Sequence, residues 1–342
     1  MSVTPQQLLE RVLSGLSLDE PTSSALLRSM ATGELPPALA GALLVALRAK
    51  GETADEIRGF ARGMRELAKR PAIAPGPYVD IVGTGGDGSH SLNLSTGSAL
   101  LAAACGAPVV KHGNRSVSSR SGSADVLSAL GLPIPLDEAA AGACLQEHGF
   151  TFLFAPHYHP AMKHIAPVRQ ALGVRTVFNI LGPLVNPAAP PFHVIGAFSD
   201  AIAAVMAETL AGLPLERAFV VHDLNGWDEA TPAGPFSCYD VRPGRVVRSV
   251  RDPADAGIAR CPLEDLRGGD SATNAARLTA ALAGGDTAAH REALVLGAAL
   301  ALEVTGRAPD AASAVAQARA GLASGAATRL VENLAAFGRE RA

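Results

Sequence analysis

The sequence predicts an α/β protein in two parts: a small all-α helical domain, then a large doubly wound domain built on a mostly parallel sheet. Three observations predict it. Helix punctuation runs through residues 1–70, a proline-rich joint follows, and beyond it short β-branched runs alternate with helical ones. In the first part Thr4, Pro5 and Gln7 suit an N-cap, a first turn and a capping box, with Gly15 as a stop. Thr53 and Glu56 repeat the box before IRGFARGMRELAKR, and Gly33, Pro36, Pro37 and Gly51 separate about four short helices. Their apolar faces, Leu43, Leu44 and Leu47 among them, exceed what so small a unit buries, so a partner surface is expected.

The joint RPAIAPGPY opens the second part, residues 76–342, and a helical segment near 160–190 is expected to return to the first. Val79, Ile81 and Val82 start a strand, STGSALLAAACG reads as a helix ending at Gly106, and PVV is a second strand, which together make a βαβ unit. SADVLSALG and LDEAAAGACLQEHG follow as helices, FTFLFA and HVIGAF as strands, AIAAVMAETLAG as a helix and RAFVVH as a strand. FSCYDV and GRVVRSV read as an appended hairpin, and the chain is helical again from Asn274. Such alternation means a parallel sheet covered on both faces.

At 342 residues and 48% hydrophobic composition the chain can bury a large core. A net charge of −3 argues against nucleic acid or an anionic membrane as partner, so any anion site must be local. Cys105, Cys144, Cys238 and Cys261 lie far apart without a C-x-x-C pair, which predicts reduced, packed thiols and a cytoplasmic setting. The first twenty residues do not read as a secretory signal, and no apolar stretch is long enough to span a bilayer.

The chemistry begins at VDIVGTGGDG, where Gly83, Gly85 and Gly88 fit G-x-G-x-x-G. A dinucleotide site also needs a helix opening at the third glycine and an acid about 20 residues on. Here SHSLNLSTG intervenes, so the helix is expected to start near Ser95 or Thr96, and the second strand ends in Lys111. A lysine in place of that acid implies a ligand with more phosphate and less adenosine. Asn93, Ser95 and Thr96 are placed to cap the helix N-terminus, which with the glycine run makes an anion cradle. KHGNRSVSSRSGSADVL adds Lys111, Arg115 and Arg120 in one polar loop rich in Ser116, Ser118, Ser119, Ser121 and Ser123. Both loops follow strands, along the edge formed by the strands' carboxyl ends, beyond which open parallel sheets bind ligands. RAFVVHDLNGWDEATPAG brings Asp223, Asp228 and Glu229 to that edge, with Gly226 making the turn. Carboxylates facing a phosphate cradle repel the ligand unless a hard divalent cation bridges them, so a magnesium diphosphate site is the economical reading. His157 and His159 have near-metal spacing but no acidic or cysteine partner nearby in sequence, which makes zinc a poor reading.

GTGGDG with NLST, KHGNR, SGSADVL, HPAMKHIAPVRQALGVRTVFNILGPLVNP and the late DE pair together resemble the anthranilate phosphoribosyltransferase family, in order from about Leu8 to near the C-terminus. The resemblance implies transfer of the phosphoribosyl group of 5-phosphoribosyl 1-diphosphate to the amine of anthranilate, with Mg²⁺ required and a homodimer formed through the helical part. It implies a diphosphate loop of Gly83, Gly85, Gly86 and Asp87, phosphate and ribose contacts from Asn93, Ser95 and Thr96, and a phosphoribosyl grip by Lys111, Asn114 and Ser123. Asp228 and Glu229 would carry the metal, with Ser95 also touching it, and Lys111, Asp228 and Glu229 would be the catalytic set. Gly83, His112, Gly113, Asn114, His159, Arg169 and Pro183 match the anthranilate channel, Arg169 pairing with the carboxylate. Neither a covalent nucleophile nor a strong general base is expected, because an aniline nitrogen is uncharged and nucleophilic near neutral pH. Trp227 and Gly297 depart from the family pattern. The competing readings are a paralogue using another aromatic amine and a non-catalytic binder of phosphoribosyl diphosphate or nucleic acid. Pyrimidine nucleoside phosphorylases share the overall fold, but the glycine loop and the late DE pair favour the transferase.

Overall fold

The computed structural model describes residues 3–115 and 121–341. The chain begins with four helices, α1 (Pro5–Leu13), α2 (Glu20–Thr32), α3 (Pro37–Lys50) and α4 (Ala54–Leu67). Both capping boxes form, Thr4 with Gln7 and Thr53 with Glu56. The Glu56 carboxylate is fully buried and also accepts the Leu18 N–H at 2.9 Å and the Lys50 ammonium at 3.0 Å, tying three elements of the bundle together.

Strands and helices then alternate: β1 (Val79–Gly83), α5 (Leu94–Ala104), β2 (Val109–Gly113), α6 (Ser123–Ala129), α7 (Glu138–His148) and β3 (Phe150–Phe154). Three short helices follow, α8 (Ala155–Tyr158), α9 (Met162–Leu172) and α10 (Phe178–Leu181), before β4 (Phe192–Gly196), α11 (Asp200–Ala211), β5 (Arg217–Asp223) and the hairpin β6 (Phe236–Arg242) and β7 (Arg245–Arg251). Four helices close the chain: α12 (Ser271–Leu282), α13 (Ala288–Val304), α14 (Ala311–Ala323) and α15 (Ala326–Arg339). The sheet order is β3-β2-β1-β4-β5-β6-β7, parallel from β3 through β5 and antiparallel across the hairpin.

Side-chain alternation along the strands divides the core. Val194, Phe219 and Val221 pack with α5 and α13 on one face, while Ile195, Ala218 and Val220 pack with α11 and the helical bundle on the other. The partner expected for Leu43, Leu44 and Leu47 turns out to be the chain itself. All three are buried, in one cluster with Ile165 and Val168 of α9 and Phe178 of α10. The segment after β3 crosses back to roof the bundle with apolar side chains the first part lacks.

Candidate active site

Strands β1 and β4 lie side by side, and the chain continues from β1 to β2 on one side and from β4 to β5 on the other, which opens the crevice in which such sheets bind ligands. At its floor Gly83 is in register with Gly196. Asp228 rests on both: a Cβ on Gly83 would stand 2.4 Å from its Oδ2, and one on Gly196 only 1.5 Å from its carbonyl oxygen. The acidic turn fits because two neighbouring strand ends carry no side chains.

The turn itself is shaped by Asp223, whose Oδ1 accepts the Asn225 N–H at 2.7 Å and whose Oδ2 accepts the Thr231 hydroxyl. Gly226 takes the left-handed φ of +98° that the reversal needs. Asp223 is thereby spent on scaffolding, and Asp228 and Glu229 project onto the loop after β1. There the Gly85 N–H donates to Asp228 Oδ2, and the Asp228 N–H donates to Asp87 Oδ2 at 3.2 Å.

The N-terminus of α5 differs from the sequence expectation. Asn93 occupies the cap position, but its side chain donates to the Ser121 carbonyl at 3.1 Å and accepts from Asn274 at 2.8 Å. Thr96 is fully buried, and among the described residues its hydroxyl has no hydrogen-bond partner. The cap is supplied from across the crevice: Glu229 accepts the Ser95 N–H at 2.8 Å and the Ser91 hydroxyl at 3.3 Å. A carboxylate satisfies the exposed N–H and the helix dipole better than a neutral amide does.

Lys111, in the middle of β2, is 1% exposed; its ammonium donates to the Ile81 carbonyl and, at 3.4 Å, to the Ser95 hydroxyl. Burial pulls its pKa down to about 8 against the attraction of Asp80 and Glu229. Burial, then the neighbouring Asp87 and Glu229 charges, push Asp228 well above the usual carboxylate range. Burial and the Asp87 charge raise Glu229 to about 7. Three crowded carboxylates beside one ammonium call for more positive charge. Among the described residues no group of three or more His, Cys, Asp or Glu side chains is arranged to hold a metal alone. This donor set suits Mg²⁺, which takes one or two carboxylates and completes its shell with water and substrate phosphates.

Beside Lys111, Gly113, Asn114 and Ser123 come together. The Ser123 hydroxyl donates to the Asn114 carbonyl at 3.3 Å, and a Cβ on Gly113 would stand 2.3 Å from it. Arg115 does not add to a basic loop, because it pairs with Asp125 at 2.9 Å. Arg120, Ser116, Ser118 and Ser119 lie outside the described residues.

On the other flank of β2, the His112 ring meets His159 edge-on at 5.1 Å, and its Nδ1 is 3.2 Å from the carbonyl of Gly182, next to Pro183. Burial lowers these imidazoles to about 3 and about 4, leaving them neutral near pH 7. Arg169 lies over the Phe178 ring at 5.5 Å, and among the described residues no carboxylate forms a salt bridge with it. An uncharged aromatic wall and a guanidinium without a counter-ion suit a ligand that is flat, apolar and carboxylated.

Gly196, and the hydrogen bond that the Phe198 N–H donates to the Thr84 hydroxyl, were not anticipated from sequence. A glycine ending the buried run of HVIGAF was the available signal, since glycine at a strand end marks close backbone approach. The departures noted above have local reasons. Trp227 is 8% exposed and packs in the main core, and a Cβ on Gly297 would lie 2.2 Å from the Ser98 hydroxyl.

The family model described as "Glycosyl transferase family, a/b domain" matches residues 75–328, and that described as "Glycosyl transferase family, helical bundle domain" matches residues 6–68. The anthranilate phosphoribosyltransferase of Desulforudis audaxviator is 48% identical over 331 residues, 96% of this chain and 95% of that protein. The enzyme of that name from Methylobacterium radiotolerans is 47% identical, over 95% of this chain and 94% of its own. The crystal structure of anthranilate phosphoribosyltransferase from Thermus thermophilus superposes with a TM-score of 0.91 at 43% identity, covering 97% of this chain and 99% of that one. The Saccharomyces cerevisiae enzyme in complex with PRPP and Mg shares the fold, with a TM-score of 0.89 at 24% identity and 99% of each chain covered.

Proposed function

We propose that this chain, which belongs to the anthranilate phosphoribosyltransferase family, transfers the phosphoribosyl group of 5-phosphoribosyl 1-diphosphate to the amine of anthranilate and releases diphosphate. One observation carries the reading: the turns after β1 and β5 meet strand β2 at the β1/β4 crevice and bring Gly85, Lys111, Asp228 and Glu229 within one hydrogen-bonded cluster.

In the reaction the anthranilate nitrogen forms a bond to the anomeric carbon while the electrons of the anomeric C–O bond leave with diphosphate. The nitrogen then loses its surplus proton to solvent. Positive charge builds on the ribose and negative charge on the leaving group, so catalysis depends on stabilising that separation in the transition state. Lys111 and the N–H groups of Gly85, Gly86, Asp87 and Ser95 are the donors facing the leaving group, with Asn93 and Thr96 beside them. Asn114 and Ser123 hold the phosphoribosyl part. Asp228, Glu229 and the Ser95 hydroxyl would hold Mg²⁺, which when bound neutralises charge on the departing diphosphate. Arg169 pairs with the anthranilate carboxylate, and His112, Gly113, His159 and Pro183 flank its ring. The neutral imidazoles leave Arg169 the positive charge that fixes the orientation of the acceptor.

Residues 1–70 with the segment near 160–190 form one unit in this reading, and residues 76–342 the other. Val3, Leu13, Leu16 and Val45 of the helical part stand 41 to 64% exposed, which supports a homodimer through this face. Four free thiols fit a cytoplasmic setting. Among the described residues no helix is long and apolar enough to cross a membrane. The test is to mix protein, Mg²⁺ and donor with anthranilate and follow the loss of anthranilate fluorescence. Loss that requires all components supports the reading; no loss refutes it.

A further inference from the structure

Arg175 lies between α9 and α10, on the segment that carries Arg169 and Pro183, yet its guanidinium reaches the opposite side of the crevice. Its Nη2 donates to the carbonyl of Gly86, in the loop after β1. The guanidinium stacks on the Phe198 ring at 4.2 Å, and the Phe198 N–H donates to the Thr84 hydroxyl at 3.2 Å, so both supports of Arg175 belong to the donor side. Its own carbonyl accepts from the Arg48 guanidinium of α3 at 2.6 Å, which fixes it to the helical bundle. Gly86 has a φ of +76°, and a Cβ there would stand 3.2 Å from Arg175 Nη2, so only glycine allows this approach without strain.

In a trans peptide the C=O and the following N–H point in opposite directions. Anchoring the Gly86 carbonyl on Arg175 therefore turns the Asp87 N–H away from the bundle. We infer that Arg175 is a positioning residue that sets the Gly86–Asp87 peptide so that its N–H meets the donor's diphosphate, and that it links occupancy of the acceptor segment to the order of this loop. The inference deepens the donor site proposed above and rests on that reading.

Arg175→Met keeps the aliphatic stem against Phe198 and removes the guanidinium. Arg175→Lys keeps a charge and a donor but loses the planar stack. Binding of diphosphate with Mg²⁺ is measured by calorimetry, with and without anthranilate, and steady-state kinetics are run alongside. The expected result for Arg175→Met is about tenfold weaker diphosphate binding, a donor KM raised about tenfold and a kcat within about threefold, with partial recovery in Arg175→Lys. Anthranilate is expected to tighten diphosphate binding in the parent protein and not in Arg175→Met; a parent protein in which anthranilate leaves diphosphate binding unchanged overturns the proposed link. An Arg175→Met protein that melts earlier but binds diphosphate as tightly as the parent overturns the inference. If the parent binds diphosphate but transfers nothing to anthranilate, the reaction assignment falls, while the calorimetric comparison still decides the role of Arg175.

Discussion

The sharpest test of the site is a methyl group at Gly196. A Cβ there would lie 1.5 Å from the Asp228 carbonyl oxygen, 2.5 Å from its carbonyl carbon and 3.3 Å from the Glu229 nitrogen. Since real Cβ contacts stop near 3.0 Å, the acidic turn must retreat by about 1.5 Å. Strand β4 cannot move instead, because Gly196 is held in register between Gly83 of β1 and Val221 of β5. The retreat pulls Asp228 from the Gly85 N–H and Glu229 from the Ser95 N–H. Misplacing a catalytic group by about 1 Å costs on the order of a hundredfold, and the packing strain adds about 1–3 kcal/mol of instability. Gly196→Ala should therefore lower kcat/KM for the donor about a hundredfold and raise the Mg²⁺ concentration that gives half-maximal rate. Binding of anthranilate alone should stay unchanged. The assay is the initial rate of anthranilate fluorescence loss across Mg²⁺ and donor concentrations, on protein shown by its melting curve to be folded. A variant within about threefold of the parent in kcat/KM and in Mg²⁺ requirement would refute the reasoning that the two glycines seat the acidic turn.

Asp228→Asn combined with Glu229→Gln should abolish the Mg²⁺ dependence of whatever turnover survives; an unchanged dependence removes the pair as metal carriers. Because burial and Asp87 raise Glu229 to about 7, its ionisation destabilises the ligand-free fold as pH rises from about 4.5 through 7, so the same variant should melt higher than the parent at pH 8 without Mg²⁺. Arg169→Ala removes a charge-assisted pair of about 1.5–3 kcal/mol and should raise the anthranilate KM roughly ten- to a hundredfold with little effect on the donor KM; equal effects on both exclude it from the acceptor side. Burial holds His112 and His193 at about 3 and His159 at about 4, below the usual imidazole value of 6.5. Stability from these groups is full above pH 6.5 and is lost as pH falls toward 3, at about 1.4 kcal/mol per pH unit for each ring, so melting curves from pH 7 to 4 should show a fall that His193→Gln makes shallower.

The sequence made the strand–helix alternation and the three turns legible because each carries a local signal: β-branched runs, glycines at positive φ, a lysine or carboxylates at a strand end. Which side chain satisfies which backbone group was not legible. Asn93 has the composition of a helix cap, yet the cap comes from Glu229, because the fold delivers a carboxylate to that N–H and frees the asparagine to join Ser121 to Asn274. The leucines of α3 likewise predicted a partner, and the segment near 160–190 was expected to return to the first part, but which of its side chains cover which leucines was not legible, because the two stretches lie more than a hundred residues apart. Gly196 is the same failure at one position, since its need for a bare Cα comes from a turn that follows the next strand.

These long-range pairings also explain why a metal belongs to this site on electrostatic grounds alone. The N–H groups of Gly85 and Ser95, which the glycine loop and helix offer to phosphate, are both taken by the acidic pair. A diphosphate arriving without a cation would have to displace carboxylates from those donors and then sit beside buried Asp228 and half-buried Asp87 and Glu229, with Lys111 as a compensating charge. Like charges at such separations, in a medium of low dielectric, cost several kcal/mol. With a divalent cation held by Asp228 and Glu229, which would supply the positive charge these carboxylates lack, the Gly85 and Ser95 N–H groups would be left free for the phosphates. Under the proposed function, this arrangement favours binding the diphosphate and its cation together over either one alone.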